Sequence, residues 1–360
     1  MIEYVRVSHL KEGDVLGKTV YNDKLQVLLK AGNRLTKACI QNIREQGYKG
    51  VYIEVGDLKR EAVPIPEPIV DEYEEIVLIN LIMEMFRNKK LFEDIYNPAF
   101  KTHRTALEQV CRNIVKTVKE RDAKGEFLYE LEDGRTFKNW LAHHSLNTAI
   151  ISAGIAYKIG LNDEEVWAIS FAGMMHDLGK ASMPEELVNK KDPTEEERKE
   201  LRNHPEIMFR ILQKLYGVNV SYSVWQHHEK IDGSGYPNKL KSDKIRLSAQ
   251  IVALASAFDN LVNIQPYNDS PMSPSEALEY LQGCCFYNVD CIIALLKFVV
   301  PYPVGTRVLL SNGKTGIVIK NVSSLVQRPY VFVDGELYNL AYSNQLMNVT
   351  IVKSVDNFDA

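Results

Sequence analysis

The sequence predicts a mainly α protein: a helical bundle with a small α/β module before it and a small β module after it. Two observations carry this prediction. Between residues 136 and 299, apolar residues recur at helical spacing and helix-capping signals repeat, without a strand pattern. After residue 300, short runs rich in β-branched and aromatic residues alternate with Asn-Gly and Asp-Gly turns.

Composition limits the function classes. The chain has 360 residues and a net charge of −4, which argues against a general DNA-binding protein. Its five cysteines are odd in number and form no C-x-x-C pair, so a reducing compartment is expected. Neither a signal-peptide pattern nor an apolar run of the ~20 residues that a membrane helix needs is present. We therefore expect a cytoplasmic protein without a membrane segment.

Residues 1–56 are predicted to form the α/β accessory module. Strands are expected at 15–20 and 26–29, joined by turn residues. A helix capped by Thr36 should run to about residue 46. A return strand is expected at 50–53.

Residues 57–70 contain three prolines within five positions and are predicted to be an extended linker. Residues 71–131 are predicted to be a helical connector, with helices at about 71–88 and 105–121. His103 precedes the second of these helices and is expected to be solvated.

Residues 132–300 are predicted to form the helical domain. Its expected elements are a helix over 137–159, helices capped by Asn162, Thr194, Ser221 and Ser273, and an apolar helix over 247–261. Residues 301–360 are predicted to form the β module, with strands at 307–310, 316–320, 330–333 and 336–340.

Histidines concentrate in the helical domain, where six of the chain's eight lie between residues 143 and 228. Imidazole and carboxylate side chains together suit iron, manganese, zinc or nickel better than calcium or magnesium. Helices from distant parts of a chain can bring such ligands into one bundle core. The alternative is a set of unrelated buried histidines. The candidate metal ligands are His144, His176, Asp177, His204, His227, His228 and Asp259.

Several short motifs around these residues are specific in combination and order. They are His144-Ser145, His176-Asp177-Leu178-Gly179-Lys180, His204-Pro205-Glu206, His227-His228-Glu229, Asp232-Gly233-Ser234-Gly235-Tyr236-Pro237 and Phe258-Asp259. On these motifs, residues 140–299 resemble the HD-GYP family, the bacterial HD-domain phosphohydrolases that degrade cyclic di-GMP.

The resemblance implies a helical bundle with two or three metal ions, often iron or manganese. It implies a phosphodiesterase that converts cyclic di-GMP to linear pGpG, sometimes onward to GMP. Asp177 would bridge two ions and Lys180 would contact a phosphate oxygen, which gives both residues catalytic roles. The remaining ligands would divide between the ions as His144, His176 and Asp259 on one, and His204, His227 and His228 on the other.

The Gly-Tyr-Pro loop has two interpretations that stay open. Glycine and proline mark turns in any protein. The resemblance also places Asp232, Gly235 and Tyr236 beside the substrate. It further implies that the loop contacts a signalling protein such as a diguanylate cyclase. A homodimer is a further option that the sequence leaves open.

The sequence departs from the family pattern at two places. Three-metal members have a glutamate where this chain has Trp140, so two ions are expected. Many active members carry Arg-Pro-Tyr-Arg where this chain has residues 265–268, Gln-Pro-Tyr-Asn. Each lost charge-assisted contact is worth ~1.5–3 kcal/mol, so substrate affinity should fall by about tenfold or more.

Three hypotheses therefore stand. The first is a metal-dependent cyclic di-GMP phosphodiesterase. The second is a non-catalytic module that binds a cyclic dinucleotide and signals through a partner. The third is a related HD enzyme acting on another nucleotide or a di-iron oxygenase, against which the Gly-Tyr-Pro loop argues.

Overall fold

The structure is a computed structural model. It describes residues 2–7, 10–21, 27–46, 48, 50–54, 69–70, 72–88, 97–123, 139–263, 265–266 and 271–355. The chain divides into two compact units. The first comprises Met1–Pro66, Glu132–Trp140 and Val300–Ala360, and the second comprises Glu67–Leu131 and Leu141–Val299. The predicted proline-rich linker lies almost entirely outside the described residues.

The N-terminal module has four strands and one helix. These are β1 (Ile2–Arg6), β2 (Val20–Tyr21), β3 (Val27–Leu29), α1 (Lys37–Glu45) and β4 (Gly50–Glu54). β1 pairs antiparallel with β4, and β2 pairs antiparallel with β3. Ile43 of α1 and Leu16 are fully buried between them. The predicted helix and return strand are confirmed.

The predicted strand at 15–20 is wrong over most of its length. Only isolated bridges form at Val15 and Leu16. The amide of Leu16 donates to the carbonyl of Asn33, and the amide of Gly17 donates to that of Tyr52. The backbone hydrogen bonds of this segment therefore go to a loop and to β4, so no ladder with β3 can start before Val20.

Within the described residues, the second unit contains helices and no named strand, which confirms the predicted fold class. Its α-helices are α2 (Glu72–Arg87), α3 (Pro98–Ala123), α4 (Trp140–Ile159), α5 (Asp163–Met175), α6 (Glu185–Val188), α7 (Glu195–Leu201), α8 (His204–Tyr216), α9 (Val218–Trp225), α10 (Leu247–Val262), α11 (Pro274–Gly283) and α12 (Val289–Leu296). Short 3-10 helices occupy Leu178–Ser182 and Ser242–Lys244. The capping boxes at Asn162, Thr194 and Ser273 all form as predicted.

Two predictions within this unit are wrong. Helix α9 begins at Val218, after Gly217 with φ +66°, so Ser221 lies inside the helix and donates back to the Gly217 carbonyl. Helix α3 begins at Pro98, so His103 lies within it rather than before it. The Nε2 of His103 is 3.0 Å from a carboxylate oxygen of Glu84, and its side chain is 12% exposed. His103 therefore joins α3 to α2 instead of pointing into solvent.

One continuous apolar core holds the helical unit together. Its largest fully buried side chains include Phe100, Phe171, Phe258 and Phe298. Helix α9 packs against α8, α5 and α10, and the Leu178–Ser182 turn packs against α8 and α2. This packing fixes the ends of α5, α8 and α9 next to one another. No helix among the described residues combines the length and apolarity needed to cross a bilayer.

The C-terminal module is a five-stranded antiparallel sheet in the order β8-β7-β6-β5-β9. The strands are β5 (Arg307–Leu310), β6 (Thr315–Lys320), β7 (Tyr330–Val333), β8 (Glu336–Asn339) and β9 (Ile351–Ser354). Four strands match the prediction, and Asp334 and Gly335 adopt the positive φ values that a tight hairpin turn needs. The edge strand β9 was not predicted, because its four residues show no apolar alternation.

Candidate metal centre

Each candidate ligand lies in a helix or within three residues of a helix end. His144 lies in α4 and Asp259 in α10, His176 is the C-cap of α5 and Asp177 follows it, His204 is the first residue of α8, and His227 and His228 follow α9. All are nearly fully buried except His228, which is partly buried. Burial of so many ionisable groups is unfavourable unless they are paired or hold a metal.

Backbone and carboxylate acceptors fix the tautomers of four of the histidines. Their Nδ1 atoms lie 2.6–2.7 Å from acceptors: His144 from Asp259 Oδ2, His176 from Gly173 O, His204 from Leu201 O and His227 from Val224 O. Because a carbonyl or carboxylate oxygen only accepts, each Nδ1 carries the proton. Each Nε2 of these neutral rings is therefore left with a lone pair, the state that binds metals.

These Nε2 lone pairs converge. The Nε2 atoms of His144 and His176 are 3.1 Å apart. The Nε2 of His204 lies 3.2 Å from that of His228 and 3.5 Å from that of His227. Where both nitrogens of such a contact carry a lone pair, the contact is repulsive unless a cation lies between them. The donor set therefore fits metal ions.

Asp177 lies between two groups of donors. Its Oδ1 is buried without a hydrogen bond and lies 3.1 Å from His204 Nε2. Its Oδ2 lies 3.7 Å from His144 Nε2 and 3.6 Å from His176 Nε2. Within the described residues, one possible site is formed by Asp177, His204, His227 and His228, and the other by His144, His176 and Asp177. We call these the four-donor and the three-donor site.

The pKa shifts agree with this arrangement. Burial lowers the pKa of His176 to about 3 and holds the pKa of His227 and His228 well below the usual value. Burial alone would raise the pKa of Asp177, but the positive charge of Lys180 holds it well below its ordinary value. The imidazoles of His176, His227 and His228 therefore stay neutral and the Asp177 carboxylate stays ionised, as metal coordination requires.

Asp259 belongs to neither donor group. Its Oδ2 accepts from His144, and its Oδ1 accepts from the side-chain amides of Asn147 and Asn263 at 2.9 Å each. The structure thus brings six of the seven predicted ligands into the two sites. It places the seventh against the Nδ1 of His144.

Lys180 reaches the centre from the 3-10 turn. Its Nζ is 2.6 Å from Asp177 Oδ2, and its side chain is 15% exposed. His143, next to His144, instead points to Glu75 on α2, with 3.5 Å between His143 Nδ1 and a Glu75 carboxylate oxygen. This agrees with the expectation that only one of the two adjacent histidines joins the centre.

The Gly-Tyr-Pro loop folds back on the four-donor site. The ring of Tyr236 stacks on that of His228, with centroids 4.5 Å apart. Gly235 is buried, and a Cβ at this position would overlap the backbone of residues 228–230. The carboxylate of Glu229 accepts from the amides of Asn238 and Leu240, which closes the loop. Tyr236 therefore packs against the ring of His228, one of the candidate ligands.

Asp232 is exposed, and its Oδ1 accepts from the amide and hydroxyl of Ser234. In the structure it shapes the turn that leads to Gly235. Gln265, which replaces the first family arginine, is fully buried and donates its amide to Asn260. Asn268, at the place of the second arginine, lies outside the described residues.

Sequence reasoning missed three side chains that shape the centre: Asn147, Asn263 and Glu229. Asn147 follows His144 by three positions in α4, and Asn263 follows Asp259 by four. Residues at these spacings share a helix face. This signal was available in the sequence, but it gains meaning only once α4 and α10 are known to be neighbours at the site.

Comparison with known proteins supports the class that the motifs indicate. The sequence model of the HD-domain family matches residues 131–284. This part of the chain is similar to the HD-domain family, which confirms the resemblance drawn from its motifs.

The curated relatives share this region. A cyclic di-GMP phosphodiesterase response regulator of Xanthomonas campestris is 35% identical over 148 residues, 40% of this chain and 39% of that protein. A cyclic di-GMP phosphodiesterase of Pseudomonas aeruginosa is 28% identical over 202 residues, 55% of this chain and 49% of that protein. A 3'3'-cGAMP-specific phosphodiesterase of Vibrio cholerae is 26% identical over 258 residues, 69% and 54% respectively. The chain thus spans about half or less of these relatives' length.

Proposed function

We propose that this chain is a metal-dependent phosphodiesterase that hydrolyses cyclic di-GMP to linear pGpG, with GMP as the product of a second cleavage. The observation that carries the proposal is the convergence of fixed Nε2 lone pairs on the ionised carboxylate of Asp177. The relatives' names, which specify cyclic dinucleotides, support the substrate class. The proposed location is the cytoplasm.

Two divalent ions, iron or manganese, are the proposed cofactors. Asp177 would be shared by both sites, and Trp140, at the place of the third-metal glutamate, offers only an N–H donor. When bound, the ions would supply an activated water and neutralise charge at the scissile phosphate.

Protein groups would hold the substrate in place. Lys180 would donate to a non-bridging phosphate oxygen, which gains charge in the transition state. Tyr236 would keep the His228 ring in its ligating orientation and contact the substrate. Asp232 and Gly235 would contribute by shaping the loop. The loop remains the proposed contact surface for a signalling partner such as a diguanylate cyclase.

A second candidate function is cyclic dinucleotide binding without turnover. One observation favours it: Gln265 is buried against Asn260, so its side chain cannot replace a phosphate-binding arginine.

The test is hydrolysis by the purified full chain loaded with Mn²⁺ or, without oxygen, with Fe²⁺. Cyclic di-GMP, 3'3'-cGAMP and cyclic di-AMP are each incubated with the protein, and linear products are separated by chromatography. Asp177→Asn is the inactive control, since it removes the shared carboxylate. Linear product from the wild type alone supports the enzyme. Saturable binding of a dinucleotide without product from any metal form supports the second candidate.

A further inference from the structure

An arginine reaches over the outer edge of the four-donor site. The guanidinium of Arg202 lies over the ring of Tyr236, with 5.5 Å between its central carbon and the ring centroid, which is within cation–π range. The Tyr236 ring in turn stacks on His228, and the Tyr236 amide donates to the His228 carbonyl at 3.1 Å. Of the four donors, His228 is the one that is partly buried. Arg202 therefore stands where the four-donor site meets solvent.

The backbone sets the position of Arg202 relative to the site. Arg202 is the residue at which α7 ends, and its amide donates to the carbonyls of Arg198 and Glu200. His204, a candidate ligand, begins α8 two residues later. The backbones of the arginine and of this ligand therefore stay close together, whichever rotamer the arginine adopts.

The guanidinium keeps donors that a ligand can use. Its Nη1 lies 3.8 Å from a carboxylate oxygen of Glu195, which is longer than a hydrogen bond. The two side chains are 51% and 60% exposed, and an exposed pair of this kind contributes little to stability. A phosphate accepts two parallel N–H bonds from a guanidinium, so exchange of the Glu195 contact for a phosphate contact is favourable.

A cyclic dinucleotide carries two phosphates in one ring, each with one negative charge. One of them lies at the metal centre beside Lys180 during cleavage, and the other needs a cation elsewhere. We propose that Arg202 binds this second phosphate, while the Tyr236 ring holds the guanidinium in place. Arg202 then favours a substrate with two phosphates over a diester with one. This inference rests on the proposed phosphodiesterase function.

A purely structural role for Arg202 makes a different prediction. An arginine that only held Tyr236 against His228 would act through the metal ligand. Its loss would weaken metal binding and slow the cleavage of every substrate alike. An arginine that binds the second phosphate affects substrates that carry two phosphates and leaves metal binding unchanged. A comparison of two substrates therefore separates the two roles.

The experiment measures steady-state kinetics of the Mn²⁺-loaded full chain with cyclic di-GMP, which has two phosphates, and with bis(p-nitrophenyl) phosphate, which has one. The variants are Arg202→Gln, which removes the charge, and Arg202→Lys, which keeps the charge without the planar fork. The matched control is Arg210→Gln, since Arg210 is a 73% exposed residue of α8 that pairs with Glu206 at 2.6 Å. Mn²⁺ affinity is measured for all four proteins.

We expect Arg202→Gln to raise KM for cyclic di-GMP about tenfold, the effect of one charge-assisted hydrogen bond, with a smaller change in kcat. Arg202→Lys should lie between this variant and the wild type. The KM of the wild type should also rise more steeply with salt than that of Arg202→Gln. Mn²⁺ affinity and kcat/KM for the single-phosphate substrate should match the wild type, and Arg210→Gln should match it throughout.

Three results would overturn the inference. The first is an unchanged KM for cyclic di-GMP in Arg202→Gln. The second is an equal loss on both substrates together with weaker Mn²⁺ binding, which would assign Arg202 a structural role. The third is an equal rise in KM in Arg210→Gln, which would show a general effect of net charge.

The same proteins separate this inference from the proposed function. If the wild type binds cyclic di-GMP without cleaving it, the enzyme is contradicted and Kd from equilibrium dialysis replaces KM. Binding about tenfold weaker in Arg202→Gln then supports the phosphate contact, and an equal Kd overturns it. A wild-type chain that neither binds nor cleaves cyclic di-GMP, 3'3'-cGAMP or cyclic di-AMP overturns both.

Discussion

Asp177 and Lys180 form the closest charge pair of the centre, with 2.6 Å between Lys180 Nζ and Asp177 Oδ2. An ammonium group so close to a candidate shared metal ligand has two consequences. It keeps the carboxylate ionised before metal binds, and it places a cation where a phosphate oxygen would approach. The second consequence can be tested by replacing the lysine alone.

We expect Lys180→Met to lower kcat by about 10–100-fold while changing KM less. The physical reason is that the lysine contact strengthens as charge develops on the phosphate, and a charge-assisted hydrogen bond is worth ~1.5–3 kcal/mol. Steady-state kinetics with cyclic di-GMP is the measurement. Lys190→Met, at a surface pair with Glu197, is the control and should match the wild type. A rise in KM at constant kcat would assign Lys180 to ground-state binding.

The buried histidines make the stability of the metal-free protein depend on pH. Burial lowers the pKa of His176 to about 3, so between pH 6.5 and 3 the unfolded chain binds a proton there that the folded chain does not. Stability therefore rises with pH in this window and is lost as the pH falls. One such proton corresponds to about 1.4 kcal/mol per pH unit.

We expect the free energy of unfolding of the chelator-treated protein to fall between pH 7 and pH 5. The His176→Gln variant should lose less over this range, because it lacks one of the groups that take up a proton on unfolding. Urea unfolding at three pH values measures both slopes. Identical slopes for the two proteins would show that His176 titrates normally in the folded chain.

At the scale of elements, the Leu178–Ser182 turn is seated against the start of α8. Gly179 makes this possible, since a Cβ there would overlap the carbonyl oxygen of His204. The turn carries Lys180, and its neighbour α8 begins with His204, a candidate metal ligand. The spacing between a 3-10 turn and a helix terminus therefore sets the geometry of the four-donor site.

We expect Gly179→Ala to destabilise the fold by about 1–3 kcal/mol, the usual cost of overpacking, and to weaken metal binding. The overlapping atom is backbone, so it cannot move aside cheaply. Thermal unfolding and Co²⁺ titration are the measurements. Gly283→Ala, at the end of α11 with no heavy atom within 4 Å of the added Cβ, is the matched control. Equal effects from the two substitutions would remove the special role of Gly179.

At the scale of the whole molecule, both candidate metal sites consist of residues of the helical unit. Every donor of both sites comes from α4, α5, α8 or the residues that follow α5 and α9. A metal that binds only the folded unit stabilises it by mass action, by about 2.7 kcal/mol when the free metal is at 100 times Kd. The described residues of the two small modules contribute no donor to either candidate site.

We expect Mn²⁺ to raise the unfolding temperature of the full chain and a chelator to reverse the rise. Asp177→Asn should abolish the rise, since both sites lose their shared ligand. Calorimetry in the two conditions is the measurement. A similar rise in the Asp177→Asn variant would show that the metal acts elsewhere.

Local signals in the sequence predicted much of this protein's secondary structure. Capping boxes at Asn162, Thr194 and Ser273 correctly predicted three helix starts. A capping box could be predicted because its hydrogen bonds join residues only three positions apart. The glycines of the turns predicted the hairpins of the β module for the same reason, because a turn also depends on neighbouring residues. The clustering of histidines around His176-Asp177 pointed to a metal centre, because few other settings concentrate imidazoles and a buried carboxylate.

The tertiary structure decided everything that depends on which helices become neighbours. It placed Asp259 against His144, gave that carboxylate two amide partners from α4 and the end of α10, and turned Gln265 inward. It also set Asp177 between two groups of lone pairs. A sequence encodes which residues share a helix face, but the distance between two faces follows from how all the helices pack. That packing is a property of the whole core.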